Sequence, residues 1–505
     1  MASRTRAEIC PELEDRACRW SATPRSSAPV TDTPLTRKPR RGDAFELELD
    51  RLDPKGTVIG MSGKFQVAVR HAVPGSTVRA QVIRRAKDRI EARALEVLSP
   101  SPDAVEPRCP HAGTCGGCAF QGYDYARQLE EQRRWVAEAL TQSEVLVDVE
   151  VEPVLAMDDP WHYRNKMDFT FANRRWVEAD EGENVDQSFA LGLHVAGQHR
   201  KVLDVQSCSI AFEAATPILN SARKLAREMD LDPWDLQAQV GLLRHLVLRH
   251  GVRTNEILVD LVVTQDDAAR LDPFAQALLA AHPEITTMVI GVTEGTAKSS
   301  IHSSERIVHG TGVIHEELAG LKFTLSASSF FQTNTVQAER LIERVRDAVD
   351  LQDGEVLYDL YCGTGTLGLA LARPGTRLLG FEVVPSAVED ARKNAAANGV
   401  QNATFVEGDV RVALADVDAG DRPRPDVIVV DPPRAGLHPA VIPPLVALNA
   451  RRIVYVSCNV ASAARDLRSM CVGGYRLTRV QPVDLFPHTA HLECVFTLDR
   501  IAPSS

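Results

Sequence analysis

The chain is 505 residues long, with 44% hydrophobic and 25% charged residues and a formal net charge of −11. That length exceeds what one hydrophobic core supports and predicts about three domains, and no apolar run approaches the roughly 18 residues needed to cross a bilayer, so a soluble protein with no membrane partner is expected. The acidic total excludes indiscriminate binding to nucleic acid, because neutralising phosphates takes Lys and Arg clustered in local patches.

Residues 1–42 mix Arg, Pro, Ser and Thr with acids and lack an apolar core, which predicts a disordered tail and neither a signal peptide nor an anchor. Ten cysteines spread along a chain without an export signal point to a reducing cytoplasm. Between residues 43 and 101, the strand-like runs Phe45–Leu49, Lys64–Val69 and Thr77–Ile83 are separated by Gly and Pro turns, the pattern of a small β-barrel. Within it Arg79, Arg84, Arg85, Lys87, Arg89 and Arg93 stand against only Asp88 and Glu91. That segment is either a surface for RNA phosphates or a solvated charged face.

Ser99-Pro-Ser-Pro102 breaks the chain ahead of Cys109, Cys115 and Cys118, a C-x5-C-x2-C pattern, and a fourth thiol is available at Cys208. Four thiolates suit an iron–sulfur cluster or zinc, and His111 could replace Cys208 in a zinc site; spacing alone leaves these open. Tyr125–Leu140 has helical periodicity. Residues 102–325 combine strands such as Glu256–Val263 with helices such as Pro217–Glu228 and read as an α+β middle domain.

From Glu355 onward the buried-strand runs Val356–Leu360, Arg377–Phe381, Asp426–Val430 and Arg452–Val456 alternate with helices, which predicts an α/β domain with a doubly wound parallel sheet over residues 326–505. Asp359-Leu-Tyr-Cys-Gly-Thr-Gly-Thr366 lies between a strand and the helical run Leu367–Ala372, where glycines let the backbone approach a ligand. Glu382 ends the next strand and can accept hydrogen bonds from ribose hydroxyls; Asp409 ends the third and can reach the adenine side. The loop lacks the full G-x-G-x-x-G spacing of dinucleotide enzymes, which favours S-adenosylmethionine. Asp431-Pro-Pro-Arg434 and Val456-Ser-Cys-Asn459 follow later strands at the carboxyl edge, so Asp431 and Cys458 should face one cleft. Glu493, in Phe486-Pro-His-Thr-Ala-His-Leu-Glu493, opens a final apolar strand where a desolvated carboxylate can act as a base.

DLYCGTGT, DPPR, SCN and FPHTAHLE, in this order and spacing, resemble the TrmA-like uracil-5 RNA methyltransferase family, in its iron–sulfur-containing 23S ribosomal RNA type. The resemblance runs from about Ala44 to the end, since the N-terminal strands look like a TRAM RNA-binding barrel and Ser328-Ser-Phe-Phe-Gln-Thr-Asn334 resembles the segment that opens the catalytic domain. It implies a Rossmann-like methyltransferase domain behind a TRAM-like barrel and an α+β middle domain. It also implies cofactor contacts from Gln332, Tyr361, Thr366, Glu382, Asp409 and Asp431, a nucleophile in Cys458 and a base in Glu493. Thr366 stands where relatives often carry Asn, and Leu492 where Val is commoner. The family further implies a [4Fe-4S] cluster on Cys109, Cys115, Cys118 and Cys208, with a structural or RNA-folding role.

The chemistry accounts for these residue types. Carbon 5 of uracil is too weak a nucleophile to take a methyl group directly, so a thiolate must first add to carbon 6 and a base must later remove the carbon-5 proton. The expected substrate is a uridine in a loop or single-stranded region, in ribosomal RNA by preference and otherwise in transfer RNA, acted on by a monomer. Cytosine-5 methylation uses similar thiolate logic, but those enzymes resemble a different motif set with a cysteine beside the paired prolines, which Asp431-Pro-Pro-Arg434 lacks. A non-catalytic iron–sulfur RNA-binding or redox-sensing protein would have no use for both Cys458 and Glu493.

Overall fold

The computed structural model of the chain describes residues 39–145, 149–178, 181–182, 184–293, 300, 302–418 and 422–501. Most of the expected tail, residues 1–38, lies outside them. Two compact units divide the described residues: those within 39–53, 57–104 and 177–185 form the first, and those within 54–56, 105–176 and 186–501 the second.

The first unit holds a six-stranded sheet of β1 (Ala44–Glu48), β2 (Arg51–Asp53), β3 (Thr57–Ser62), β4 (Phe65–Arg70), β5 (Thr77–Arg85) and β6 (Ile90–Ser99), in the order β1-β5-β6-β4-β3-β2. Only Leu49 and Asp50 separate the two outermost strands, so one bent segment pairs with β5 through β1 and with β3 through β2 and curls the sheet onto itself. Gly60 permits this curl, because a Cβ there would lie 2.2 Å from the Glu48 carbonyl oxygen. Phe45, Leu47, Val67, Val69, Val78 and Ala80 alternate inward and fill the interior. Most of the candidate basic surface is internally paired: Arg79 with Glu96 at 3.0 Å, Arg84 with Glu91 at 2.7 Å and Arg89 with Asp53 at 2.8 Å, while Arg93 donates to the Gln81 side-chain oxygen.

The second unit opens with the cysteine-bearing turns and α1 (Tyr125–Gln142), capped by Asp124, whose carboxylate accepts from Arg127 N–H. A mixed seven-stranded sheet follows, of β7 (Lys166–Ala172), β8 (Ala190–Val195), β9 (Gln198–Asp204), β10 (Leu243–Gly251), β11 (Glu256–Val263), β12 (Thr287–Val292) and β13 (Ser304–His309), in the order β13-β12-β11-β10-β7-β8-β9. Helices α2 (Ala215–Glu228) and α3 (Ala268–Ala281) supply Ile218, Leu219, Leu271 and Phe274 to the core that buries Phe169, Phe171 and Leu246. The hairpin β14 (Val313–Leu318) and β15 (Leu321–Ser326) leads into Ser328–Asn334 and then α4 (Thr335–Val349). Asn334 is fully buried, caps α4 by accepting from Gln337 N–H at 3.1 Å, and donates to the Leu485 carbonyl at 3.0 Å, which ties that segment to the C-terminal loop.

The last sheet comprises β16 (Val356–Leu360), β17 (Arg377–Glu382), β18 (Ala403–Glu407), β19 (Val427–Val430), β20 (Arg452–Ser457), β21 (Tyr475–Val483) and β22 (Glu493–Arg500), in the order β18-β17-β16-β19-β20-β22-β21. Neighbouring strands from β18 through β20 are parallel, and β22 runs antiparallel between β20 and β21. Helices α5 (Thr366–Leu371), α6 (Pro385–Ala397), α7 (Val410–Asp418), α8 (Ile442–Ala447) and α9 (Val460–Val472) connect the strands. The strand order reverses between β16 and β19, and such a switch point opens a crevice at the carboxyl ends of the strands. Helix α1 packs here: its Val136 and Leu140 share a core with Leu467 and Met470 of α9, and residues Val151 and Leu155 bridge to Val480 and Val483 of β21.

Candidate active site

The crevice is built from strand ends. After β16 the chain turns through Tyr361, Gly363 and Gly365, all at positive φ (63°, 54° and 78°). A non-glycine residue in this region is costly and is held only where surrounding structure enforces it. Asp359 is buried beneath the turn and accepts from Gly368 N–H at 2.9 Å, while its other carboxyl oxygen has no partner. Gly368 is required there, since a Cβ would come within 2.6 Å of that carboxylate. Burial raises the Asp359 carboxyl to about 7.

Of the six expected cofactor contacts, Gln332, Tyr361, Thr366 and Asp431 line one cavity, together with Asp359, Phe331 and the strongly exposed Phe330. Glu382 and Asp409 stand outside that lining at the ends of the neighbouring strands. The Glu382 carboxylate accepts from the N–H groups of Gly363 at 3.1 Å, Val383 at 2.8 Å and Val384 at 2.9 Å, and so fixes the glycine turn to the end of β17. Asp409 is held by Arg411, which keeps its carboxyl down at about 2. The cavity suits a ligand carrying a cationic donor: an orphaned, buried carboxyl oxygen of Asp359 forms part of its wall, with Asp431 beside it.

The expected nucleophile and base meet one strand further along. The β20–β22 ladder ends with Ser457 opposite Cys494, so Cys458 and Glu493 are the next residues to face each other beyond it. Burial is the main cause of every shift here. Glu493 is 8% exposed and its carboxyl rises to about 8, with the Asp431 charge adding to the rise and Arg434 opposing it. Asp431 keeps an exposed surface as a residue, yet the protein packed around its carboxyl raises that group to about 7. The Cys458 thiol rises to about 11, with Glu493 and Asp431 contributing and Arg434 pulling the other way.

Arg434, the last residue of the Asp431-Pro-Pro-Arg434 motif, is the cation that opposes the carboxylates at both Cys458 and Glu493. Its guanidinium lies 3.3 Å from His491 Nδ1, and its carbonyl accepts from Asn459 Nδ2 at 2.8 Å and Ser462 Oγ at 3.1 Å. Asn459 also caps α9 by accepting from Ala461 N–H at 3.2 Å. The Asn of the SCN motif thereby locks the Asp431–Arg434 loop to the Cys458 turn. A basic residue three positions after Asp431 on the same strand-end loop was the signal available in the sequence.

The loop before Glu493 is fastened by side chains far away in sequence. The His488 carbonyl accepts from the N–H groups of Ala119 at 2.9 Å and Phe120 at 3.1 Å, immediately after Cys118. The His488 ring stacks on Trp161 with centroids 4.1 Å apart, and Tyr163 Oη donates to the Pro487 carbonyl at 3.1 Å. Burial holds the His488 imidazole neutral by lowering it to about 4.

The four expected thiols lie in one neighbourhood. Cys118 is raised first by burial and then by Cys208, Cys115 and Cys109 as neighbouring negative charges, and Cys208 is likewise raised by burial and by Cys109. His111 Nε2 accepts the Gln206 N–H at 3.0 Å, which draws the Cys208 turn to the Cys109–Cys118 turns and occupies the lone pair that a zinc ion would need. Among the described residues, no group of three or more His, Cys, Asp or Glu side chains is arranged to hold a metal ion. The donors are thus chemically suited to a thiolate-bound centre but not drawn together as ligands.

The family model of the tRNA (uracil-5-)-methyltransferases matches residues 275–501. An uncharacterized RNA methyltransferase of Chlorobaculum tepidum is 39% identical over 482 residues, covering 93% of this chain and 99% of the relative. One from Porphyromonas gingivalis is 36% identical over 467 residues, covering 90% and 99%. Among solved structures, the Pyrococcus abyssi tRNA (uracil-54, C5)-methyltransferase in complex with S-adenosyl-L-homocysteine superposes with a TM-score of 0.71 at 26% identity, covering 90% of this chain and 99% of that one. Among the described residues, no helix is long and apolar enough to cross a membrane.

The charges around Cys458 set the direction of its reactivity. Replacing Glu493 by Gln removes a carboxylate that raises the thiol, so alkylation of Cys458 by iodoacetamide should reach half its maximal rate below pH 11; Arg434→Gln should move it upward. Mass spectrometry of the peptide carrying Cys458 across a pH series measures both shifts, and identical profiles for the three proteins would contradict the charge arrangement.

Proposed function

Since the chain belongs to the TrmA-like uracil-5 RNA methyltransferases and catalyses S-adenosylmethionine-dependent methylation of uracil carbon 5 in RNA, we propose that it does so through a covalent adduct on Cys458, with Glu493 as the base. The observation that carries this reading is the placement of Cys458 and Glu493 across adjacent strand ends, beside Asp431 and Arg434 and next to the cavity lined by the cofactor loop. Gln332, Tyr361, Thr366 and Asp431 hold the methyl donor in that cavity, and Glu382 and Asp409 meet its outer half at the ends of β17 and β18. When bound, the donor supplies an electrophilic methyl group and a positive sulfonium, whose charge favours the ionised forms of Asp431 and Glu493.

Cys458 Sγ, as thiolate, forms a bond to carbon 6 and pushes the electron pair of the 5,6 double bond toward carbon 5 and oxygen 4. Arg434 stabilises the thiolate before attack, and Asp431 orients the uracil edge. Carbon 5 then takes the methyl group as the methyl–sulfur bond breaks, its electron pair remaining on the departing neutral sulfur. Glu493 accepts the carbon-5 proton, the electron pair of that C–H bond restores the double bond, and the carbon–sulfur bond breaks to return the thiolate. The target base must leave its stack to reach the cleft, which favours a looped or single-stranded uridine.

Cys109, Cys115, Cys118 and Cys208 are proposed to hold a [4Fe-4S] cluster. Their nearness and burial support this, because a thiolate set in so poorly solvated a place requires a cation to stabilise it. No step of the methyl transfer needs an electron. The cluster's role is to hold the turns that, through Ala119 and Phe120, clamp the His488 carbonyl.

Ribosomal RNA is the preferred substrate, on the family's association of this cysteine pattern with ribosomal targets. Transfer RNA is the second reading, favoured by the description of the matching family and by the P. abyssi structure. Mapping 5-methyluridine in both RNAs from a deletion strain decides between them: a site lost from 23S ribosomal RNA supports the first reading, and one lost only from tRNA the second.

Glu493→Gln leaves the thiol attack and the methyl transfer in place but removes the proton acceptor, so enzyme and methylated RNA should stay joined and migrate together on a denaturing gel. The methylated band should require both S-adenosylmethionine and Cys458. Turnover at the wild-type rate, or no adduct despite normal RNA and cofactor binding, would rule Glu493 out as the base. Cys115→Ser should give colourless, less stable protein depleted of iron, and anaerobically purified wild-type protein carrying zinc and no iron would refute the cluster.

A further inference from the structure

The mixed seven-stranded sheet carries a groove that no step of the reaction uses. It lies where β7 ends and is bordered by Arg174, by Arg200 and Lys201 on β9, and by the turn holding Trp234 and Asp235. Arg174, Arg200 and Lys201 are exposed, and no ion pair joins any of them to a carboxylate among the described residues. The bordering acid, Asp235, is committed locally: it accepts from Asn173 Nδ2 at 2.7 Å and from the N–H groups of Gln237 at 2.7 Å and Ala238 at 3.0 Å. Trp234 has the Arg244 guanidinium 4.3 Å from its ring centre, a flat cationic and aromatic surface in the groove wall.

These cations do not serve to blunt an open sheet edge. β9 is the outermost strand of its sheet, but Arg175 already bridges to Val202 and Trp176 N–H donates to the Val202 carbonyl at 2.7 Å, so that edge is covered at this point. In a chain of net charge −11, whose barrel arginines are largely paired with their own carboxylates, a solvated and unpaired set of cations beside an aromatic wall is a site for a polyanion.

The distance to the reaction centre fixes what part of a polyanion it meets. Asn165, immediately before β7, donates to the Gln332 carbonyl at 3.0 Å and to Thr335 Oγ1 at 2.9 Å, which places that end of β7 against the cofactor segment. The groove's lining begins at Thr170, five residues along an extended strand from Asn165, or about 17 Å away at ~3.3 Å per residue. That is too far for the target nucleotide. We propose that this groove binds the phosphate backbone of the substrate RNA in the region flanking the target uridine, with a nucleotide packed against the Trp234–Arg244 wall. The proposal rests on the reading of the chain as an RNA methyltransferase.

The test uses the full chain, with 23S ribosomal RNA fragments transcribed in vitro and a total tRNA pool as probes. Each lost phosphate contact lowers the slope of log binding constant against log salt by about 0.7–0.9, so Arg200→Gln/Lys201→Gln should lower it by about 1.4–1.8. KM for RNA should rise about tenfold, with kcat at saturating RNA unchanged. The charge-matched pair Lys224→Gln/Lys393→Gln should leave slope and KM unchanged. An unaltered slope in the groove variant, or an equal loss in the control, would overturn the proposal. Photocrosslinking of wild-type protein to transcripts containing 4-thiouridine gives a reading independent of variant folding: peptides carrying Trp234 or Arg200 should be recovered, and crosslinks confined to other regions would overturn it. If wild-type protein binds these RNAs but makes no 5-methyluridine in either, the uracil-5 chemistry fails while the slope and the crosslinks still decide the groove.

Discussion

The antiparallel entry of β22 between β20 and β21 is the constraint on which the site depends. Every neighbouring pair from β18 through β20 is parallel, so their carboxyl ends open on one crevice and their amino ends lie at the opposite edge. A strand running the other way delivers its first residue to that crevice, and the first residue of β22 is Glu493. Had β22 been parallel, its amino end would lie at the far edge, a strand length from Cys458. The apolar run that follows Glu493, with Cys494 and Phe496 fully buried, anchors the strand and drags the carboxylate out of water. Burial of an acid that cannot be placed elsewhere is what raises Glu493 to about 8.

Around that carboxylate the site balances two acids, one thiol and one guanidinium. Asp431 favours the protonated form of Glu493, and both discourage the thiolate of Cys458, while Arg434 works against them at Cys458 and Glu493. Burial and the two carboxylates favour the protonated thiol, which is less prone to oxidation than a thiolate. A cation placed in the neighbouring cavity would shift the same balance toward the ionised forms of these groups.

The loop that carries Glu493 is not self-supporting. Its His488 carbonyl is satisfied by backbone N–H groups that follow Cys118, and its ring is packed on Trp161. The cysteine-bearing turns and the loop leading to Glu493 are therefore joined by two hydrogen bonds, although Cys118 and Glu493 are 375 residues apart in the sequence. Asn334 does the same from the other side by joining the start of α4 to the Leu485 carbonyl.

The sequence by itself determined the elements whose signals are local. Hydrophobic runs of strand length placed β16, β17, β19 and β20 to within a residue, because residues in a parallel sheet are buried on both faces and read as continuous apolar stretches, and the motifs after β19 and β20 named Asp431 and Cys458, while Glu493 was legible at the start of the last apolar run. What only the tertiary structure decided are relations between distant segments. The periodicity of α1 gives an apolar stripe but not its partner, which is α9 of the last sheet and not the middle sheet that follows it in the chain. Glu382 and Asp409 sit at the predicted strand ends, yet their carboxylates are turned to backbone N–H groups and to Arg411, choices fixed by which loops lie nearby. Arg434 owes its part to the antiparallel strand beside it, and the basic groove to chain segments that meet only in the folded sheet, since charge and burial depend on neighbours that no local pattern encodes.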